Sequence, residues 1–298
     1  MINYFYREYW NIAIRPRKDN CILDDTHSSF HLIENGRDYW LADPFLFEYE
    51  GNCYIFVELY DCKKGKGVIA FQNYSDPNDS VWHTAIEEEY HLSFPFIFRE
   101  KEDIYIIPES SYGKCLSRYK AIDFPYRWEK ELIINDVSIV DTALGKYGDK
   151  YIGLTTRLTG KDNAAYLISC DEDFQVVTIS EEPFSDDDRF NRLAGAFFDY
   201  NNERYVVFQD GQDYYGKELH FMQYDKDEKR ISSEKIGETI SIDSRKIIID
   251  SNKKFIGIHT YNISDNYEVI DLKHMEVNVR HIMFSIIRKI RKMICGRN

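Results

Sequence analysis

No stretch of the 298 residues approaches eighteen apolar positions, so no membrane-spanning helix is expected. Basic residues are in short supply: 38 Lys and Arg against 51 Asp and Glu leave a formal charge of −13, which argues against a general nucleic-acid binder. The six cysteines (21, 53, 62, 115, 170 and 295) form no CxxC pair, and they suit reduced thiols in a cytosolic protein better than a disulfide framework. The opening MINYFYREYW lacks the basic-then-apolar layout of a secretion signal. A Walker loop, a Rossmann fingerprint, HExxH and a nucleophile elbow are all missing, and no spacing specifies a cofactor or a metal ligand set. Aromatic residues, by contrast, are abundant. With 23 Tyr, 19 Phe and 4 Trp the chain is far too apolar for a solvated coil and long enough for one or two cores.

Charge is unevenly placed. Residues 280–298 hold six bases and no acid, which leaves residues 1–279 at −19. Within this tail Met283, Ile286, Ile287, Ile290, Met293 and Ile294 recur at steps of three and four, the stripe of an amphipathic helix. A basic helix of this kind docks on an anionic membrane or packs on the protein's own acidic surface. The first reading is favoured and places the protein in the cytoplasm, peripheral on the inner face of the membrane.

A repeat organises the body. LADPFLFEYEGNCYIFVE (41–58) and LSFPFIFREKEDIYIIPE (92–109) align without a gap, each an apolar strand, a polar turn and a second apolar strand. The pattern returns at 139–155, at 193–209 and, degraded, at 242–259. The aromatic opening each second strand falls at Tyr54, Tyr105, Tyr151, Tyr205 and Phe255, at intervals of 51, 46, 54 and 50. A β-meander at this period predicts an all-β fold, a five-bladed propeller over residues 1–275, followed by an amphipathic helix over 276–298. A further strand is expected after each pair (GKGVIAFQNY, CLSRYKAI, AAYLISC, GKELHFMQYD and YEVIDL), with YWNIAIRP closing the ring. The KKGKG loop at 63–67 reads as a hairpin turn in preference to a phosphate cradle.

The inner strand of each blade lines the axis, so equivalent positions converge there. The alignment puts Asp43, Phe94, Asp141, Ala194 and Ser244 at one such position, and Glu58, Glu109, Thr155, Gln209 and His259 at the end of the next strand. Asp is disfavoured within strands and costly to bury, which singles out Asp43 and Asp141 as catalytic candidates. Glu58, Glu109 and His259 are substrate-binding candidates on the same axis, although a histidine in a blade is more often a satisfied core group.

These features resemble glycoside hydrolase family 43 and its relatives, five-bladed propellers with a base Asp in blade one, a pKa-tuning Asp in blade three and an acid Glu in blade four. The carrying residues are the Asp43-Pro44 pair, Asp141 of SIVD and the Gly195 strand. More specifically, LADPFLFEYEGNCYIFVE, HLSFPFIFREKEDIYIIPES, YKAIDFPYRWE, VSIVDTAL and RLAGAFFDYNNERYVVFQDGQDYYG resemble the N-terminal propeller domain of plant glucosamine inositolphosphorylceramide transferases, a domain also found in bacterial polysaccharide loci. The resemblance covers most of residues 38–220 and fades beyond about 230. In the plant proteins a separate glycosyltransferase domain follows, for which these 298 residues leave no room. The resemblance also draws attention to Gln209, Asp210, Tyr215 and Gly216 as pocket residues, and to His91 and Ser93 of HLSFP.

Blade four departs from the hydrolase pattern: Ala194-Gly195 stands where the resemblance implies Glu-Gly. Breaking a sugar–sugar bond normally needs a carboxylic acid to protonate the leaving oxygen, whereas a phosphate leaves as a stable anion and needs neutralisation instead. Arg192 is then either a phosphate clamp or a salt-bridge partner of Asp186–Asp188. The favoured expectation is a glycosyltransferase of surface-polysaccharide or glycolipid assembly, with Asp43 as base and a sugar donor plus a glycan or lipid-linked acceptor as partners. The alternatives are a family 43-like glycosidase with its acid supplied from elsewhere, and a non-catalytic glycan-binding propeller.

Overall fold

A computed structural model describes residues 6–17, 20–25, 28–158, 163–225 and 236–295. The chain winds through five antiparallel sheets arranged as propeller blades. Blade one is β3 (Tyr39–Tyr49), β4 (Asn52–Asp61), β5 (Lys66–Asn73) and β6 (His83–Ile86). Blade two is β7 (Ser93–Glu100), β8 (Asp103–Glu109), β9 (Cys115–Asp123) and β10 (Arg127–Asn135). Blade three is β11 (Ile139–Tyr147), β12 (Lys150–Arg157), β13 (Ala164–Asp171) and β14 (Val177–Ile179). In blade four the inner strand is broken into β15 (Arg192–Leu193) and β16 (Phe198–Tyr200), both paired with β17 (Glu203–Asp210), followed by β18 (Glu218–Gln223) and β19 (Ile236–Ser241).

Blade five closes the ring with both ends of the propeller. β20 (Tyr261–Ile263) and β21 (Tyr267–Glu276) are followed by β1 (Arg7–Pro16) and β2 (His31–Ile33). YWNIAIRP lies in β1, which pairs with β21 over ten residues, from Arg7↔Glu276 to Pro16↔Tyr267. A buried pair, Arg15 Nε to Glu268 Oε1 at 2.7 Å, fastens that register, with the guanidinium 4.1 Å above the Phe30 ring. Between blades the cores are aromatic, as where Phe45 and Phe94 meet edge to face at 4.9 Å.

The structure corrects the fifth repeat. Residues 242–259 are not a strand pair; they carry the chain from blade four to blade five, pinned by isolated bridges Phe30↔Ile249 and Gly257↔Lys273. Ser244 lies in a turn, Phe255 opens no strand, and YEVIDL belongs to the second strand rather than an outer one. Residues 63–65 form the β4–β5 hairpin turn, with Gly65 at φ +74°, as expected of KKGKG. Helix α1 (Val279–Cys295) follows β21.

Candidate functional site at the propeller axis

The first three inner strands share one local device. Asp43, Phe94 and Asp141 adopt left-handed φ of 48°, 44° and 49°, each at a break in register (Ala42/Phe45, Ser93/Phe96 and Val140/Ala143). Asp tolerates this region, and a bulge re-aims the side chain that would otherwise follow the pleat. Asp43 and Asp141 are thus buried at the axis, at 6% and 2% exposure. Blade four does not repeat the device. Its inner strand breaks at Ala194, whose N–H donates to Val207 O (2.8 Å) and whose carbonyl accepts from Tyr261 N (2.8 Å). A Cβ on Gly195 would sit 2.1 Å from Tyr261 O, so the approach of β20 demands glycine there.

Two charged groups form around the carboxylates. In the first, His259 stands between Asp43 and Asp271: Nε2 is 3.1 Å from Asp43 Oδ1, and Nδ1 is 2.7 Å from Asp271 Oδ2. Asp271 also accepts backbone N–H bonds from Asp43 (3.1 Å), His259 (3.0 Å) and Thr260 (2.9 Å). Asp43 Oδ1 takes the Thr260 hydroxyl at 2.9 Å, and Oδ2 takes the Phe94 N–H at 3.0 Å. Burial opposes charge on both partners. It is overcome for His259 by Asp271 and then Asp43, which raise its pKa to about 10. The His259 and Thr260 contacts hold Asp43 below the usual carboxylate range despite its burial.

In the second group, Arg192 grips Asp141 with two hydrogen bonds, Nε to Oδ2 at 2.7 Å and Nη2 to Oδ1 at 3.0 Å, and lies 3.9 Å from Glu109. Burial nevertheless pushes Asp141 up to about 6, with Arg192 opposing and Glu109 reinforcing the rise. Glu109 is itself raised by burial, and it accepts from Ser93 (2.9 Å) and Ser111 (3.1 Å). The ion pairs of Arg192 are with Asp141 and Glu109, and Asp187 of the 186–188 run is taken by Arg189.

Glu58 lies between these groups, and its environment differs. Its carboxyl is buried, and among the described residues Oε1 has no aligned hydrogen bond although His91 Nε2 is 3.4 Å away. Burial, then the charges of Asp43 and Glu109, push its pKa well up, which favours the protonated acid. His91 Nδ1 accepts from Gly67 N at 2.9 Å, which places the remaining ring proton of the neutral imidazole on Nε2, toward Glu58. Tyr215 covers the mouth, its ring 5.0 Å from that of His259 and 5.5 Å from the Arg192 guanidinium carbon.

The axis therefore gathers Asp43, Glu58, His91, Glu109, Asp141, Arg192, Tyr215 and His259. Gln209 joins them less fully: Nε2 donates to Leu193 O at 3.2 Å, while Oε1 is buried without a partner among the described residues. Asp210 does not join them. Consecutive strand residues point to opposite faces, and its carboxylate faces His220, 3.4 Å away on β18. His259 arrives from the loop before β20, not from a second strand. Three contributors escaped the sequence: Asp271, Thr260, and Trp10, whose ring centroid is 3.9 Å from that of His259. Asp271 carried a readable signal, an acid inside the apolar YEVIDL.

The His259 charge has a measurable consequence. A histidine raised from about 6.5 toward 10 stabilises the fold fully below the lower value and loses that contribution as pH climbs to the upper one. Between about pH 7 and 9 the urea midpoint of the wild type should fall. In His259→Gln the midpoint starts lower and falls less steeply. Equal slopes in the two proteins would mean that His259 is neutral when folded.

Comparison with known proteins places this architecture. The alpha-L-arabinofuranosidase of Podospora anserina superposes with a TM-score of 0.54 at 10% identity, over 81% of this chain and 93% of that one. A Coprinopsis cinerea alpha-L-arabinofuranosidase gives 0.53 at 10%, over 79% and 92%. At such identity the likeness is one of fold. In sequence, glucosamine inositolphosphorylceramide transferase 1 of Arabidopsis thaliana is 28% identical over 195 residues, which are 60% of this chain and 25% of that protein. The Oryza sativa subsp. indica protein of the same name is 32% identical over 111 residues, 36% of this chain and 15% of its own. The chain thus spans about a quarter or less of the length of these relatives. The model of the N-terminal region of glucosamine inositolphosphorylceramide transferase 1 matches residues 34–239, four blades with Asp43, Glu58, Glu109 and Asp141, and the chain belongs to that family.

Proposed function

We propose that this propeller transfers a glycosyl group from a donor with a phosphate leaving group to an acceptor hydroxyl, in surface-polysaccharide or glycolipid assembly. One observation carries the reading: carboxylates of blades two and three meet Arg192, which the inner strand of blade four supplies, while Ala194 and Gly195 beside it bring no acid. Asp43 acts as base through Oδ2, which keeps one lone pair after the Phe94 N–H is counted. The acceptor oxygen bonds to the anomeric carbon, its proton passes to Asp43, and the phosphate departs with the electron pair of the broken C–O bond. Arg192 spends Nε and Nη2 on Asp141, leaving Nη1 for a phosphate oxygen. Its acidic surroundings weaken binding of a bare diphosphate, so a divalent cation is expected to assist.

A second reading has its own support. Glu58, buried and with a bare carboxyl oxygen, is a proton donor that blade one would supply in place of the missing acid of blade four. In that case the protein is a glycosidase. A panel of nucleotide sugars and polyprenyl-phosphate sugars with lipid-linked acceptors, run with Mg²⁺ and with chelator, tests the first reading. Aryl glycosides run beside it test the second. Release of free sugar that Glu58→Gln abolishes would replace transfer by hydrolysis. Glycan binding seen by thermal shift, with no turnover on either panel, would make the pocket a recognition site.

A further inference from the structure

We propose that helix α1 is a membrane-surface anchor that presents the mouth of the axial pocket to an anionic lipid surface, so that one substrate of the pocket is itself carried in the membrane. The last clause rests on the reading above; the docking does not.

The argument starts from how the helix meets the body. Arg280 ion-pairs with Asp38, His281 is buried with Nδ1 3.0 Å from Tyr9 Oη and Nε2 3.0 Å from Arg37 O, and Arg288 donates to Cys62 O. His281, Ser285 and Arg288 follow one another at helical spacing, so the polar side is the docked one. The apolar stripe faces away. Met283, Ile286, Ile287, Ile290, Met293 and Ile294 are 48, 52, 38, 45, 65 and 71% exposed. A helix packed for stability alone would turn this stripe inward. Lys289 and Arg291 flank it, both exposed, and among the described residues no ion pair engages either. The helix contains no acid. An apolar ridge edged by unneutralised bases is complementary to an anionic bilayer, and its bases repel the same ridge on a second copy of the chain.

The position of the helix adds the orientation. Asp38 immediately precedes β3, and Cys62 immediately follows β4, at the end of blade one where Asp43 and Glu58 also lie. From His91 the ring of Tyr60 is 6.2 Å away. Tyr60 in turn lines a cleft of about 300 Å³ beneath the helix, with Trp40, His281, Ser285 and Arg288. The stripe and the pocket mouth thus share one end of the propeller.

Cosedimentation with phosphatidylcholine vesicles, with and without phosphatidylglycerol, tests the docking. Binding is expected only with the anionic lipid. Lys289→Gln/Arg291→Gln should weaken it about 30-fold, at about fivefold per lost base. Ile286→Glu/Ile290→Glu should abolish it with the thermal midpoint unchanged, because both side chains are exposed. No binding, equal binding to neutral vesicles, or a solution dimer dispersed by Ile286→Glu/Ile290→Glu would each overturn it. Orientation is read with an environment-sensitive fluorophore on Tyr112→Cys or Val176→Cys in a Cys295→Ser background. Tyr112 is 79% exposed beside His91, whereas Val176 is 63% exposed at the far end, after β13. Lipid-borne quencher should reach the first and not the second; the reverse pattern overturns the presentation of the pocket. None of these measurements reads turnover, so their failure and a failure of the transfer reading are separate results.

Discussion

Asp271→Ala should cost the ring at least about 3–5 kcal/mol at neutral pH, the largest stability loss expected of any substitution at the axis. Asp271 is fully buried, accepts three backbone N–H groups and sits 2.7 Å from a charged His259. Alanine leaves the imidazolium with Asp43 alone and orphans three donors, one from blade one and two from the approach to blade five. The bond to Asp43 N joins the last blade to the first, so the loss falls where the circle closes. A thermal midpoint lower by on the order of 10 °C and a matching fall in urea midpoint at constant m are expected. Asp271→Asn loses the charge and one of the two accepting oxygens but keeps a carbonyl for His259 N and Thr260 N, so it should fall between the two. If Asp271→Ala stays within about 1 kcal/mol of wild type, the histidine is not held as an ion inside the fold.

The same residue shows how much of the ring the sequence alone specifies. Four blades were legible because Tyr54, Tyr105, Tyr151 and Tyr205 stand near the start of β4, β8, β12 and β17, and the apolar pairs around them are long. The fifth was misplaced for a physical reason. Its true inner strand, β20, has three residues, too few to show alternation, while the connector at 242–259 is rich in isoleucine and packs Ile247 and Ile258 inside without joining a sheet. Outermost strands such as β10 are harder to read because they are about half exposed, with only Trp128, Ile133 and Ile134 packed against the core. Asp43 and Asp141 were visible as acids in apolar strands, and Asp271 obeys the same rule, hidden only by assigning YEVIDL to the outside. The pairing of Arg192 with Asp141, 51 residues apart, had no local signal at all; the nearby acidic run drew attention instead.

The site explains why belonging to this family and sharing the hydrolase fold pull the functional reading in different directions. Protonating a leaving alkoxide needs a neutral acid, and the axial carboxyl that its surroundings push furthest toward neutrality is Glu58, on blade one rather than blade four. Stabilising a leaving phosphate needs a cation, and Arg192 occupies the neighbourhood the blade-four acid would have filled. Its 28% side-chain exposure keeps it in reach of a ligand, while the Asp141 grip fixes its plane. Arg192→Lys keeps the charge but loses the fork, so it separates charge from geometry: a transferase should lose donor affinity in it, and a hydrolase acting through Glu58 should change little.

Asp43→Asn should lower turnover by about 10²–10⁴-fold, the usual contribution of a positioned base, and leave donor affinity close to wild type. The substitution is nearly isosteric. Its one carbonyl oxygen can keep the Phe94 N–H, while its amide replaces the oxygen that faced Thr260 Oγ1; His259 retains Asp271, so the loss of stability should be smaller than in Asp271→Ala. What disappears is the capacity to take a proton. The pH dependence sharpens the test. Asp43 is held below the ordinary carboxylate range, so the base stays ionised throughout neutral pH and its protonation limb lies on the acid side. Asp141, raised to about 6 by burial against Arg192, should add a second limb nearer neutrality if its charge is needed to hold the guanidinium in place. Asp141→Asn would then remove that limb and raise KM for the donor, while Asp43→Asn lowers kcat at every pH. Full turnover in Asp43→Asn, with the limb near 6 unchanged, would take the proton transfer away from blade one's aspartate and leave Glu58 as the group to pursue.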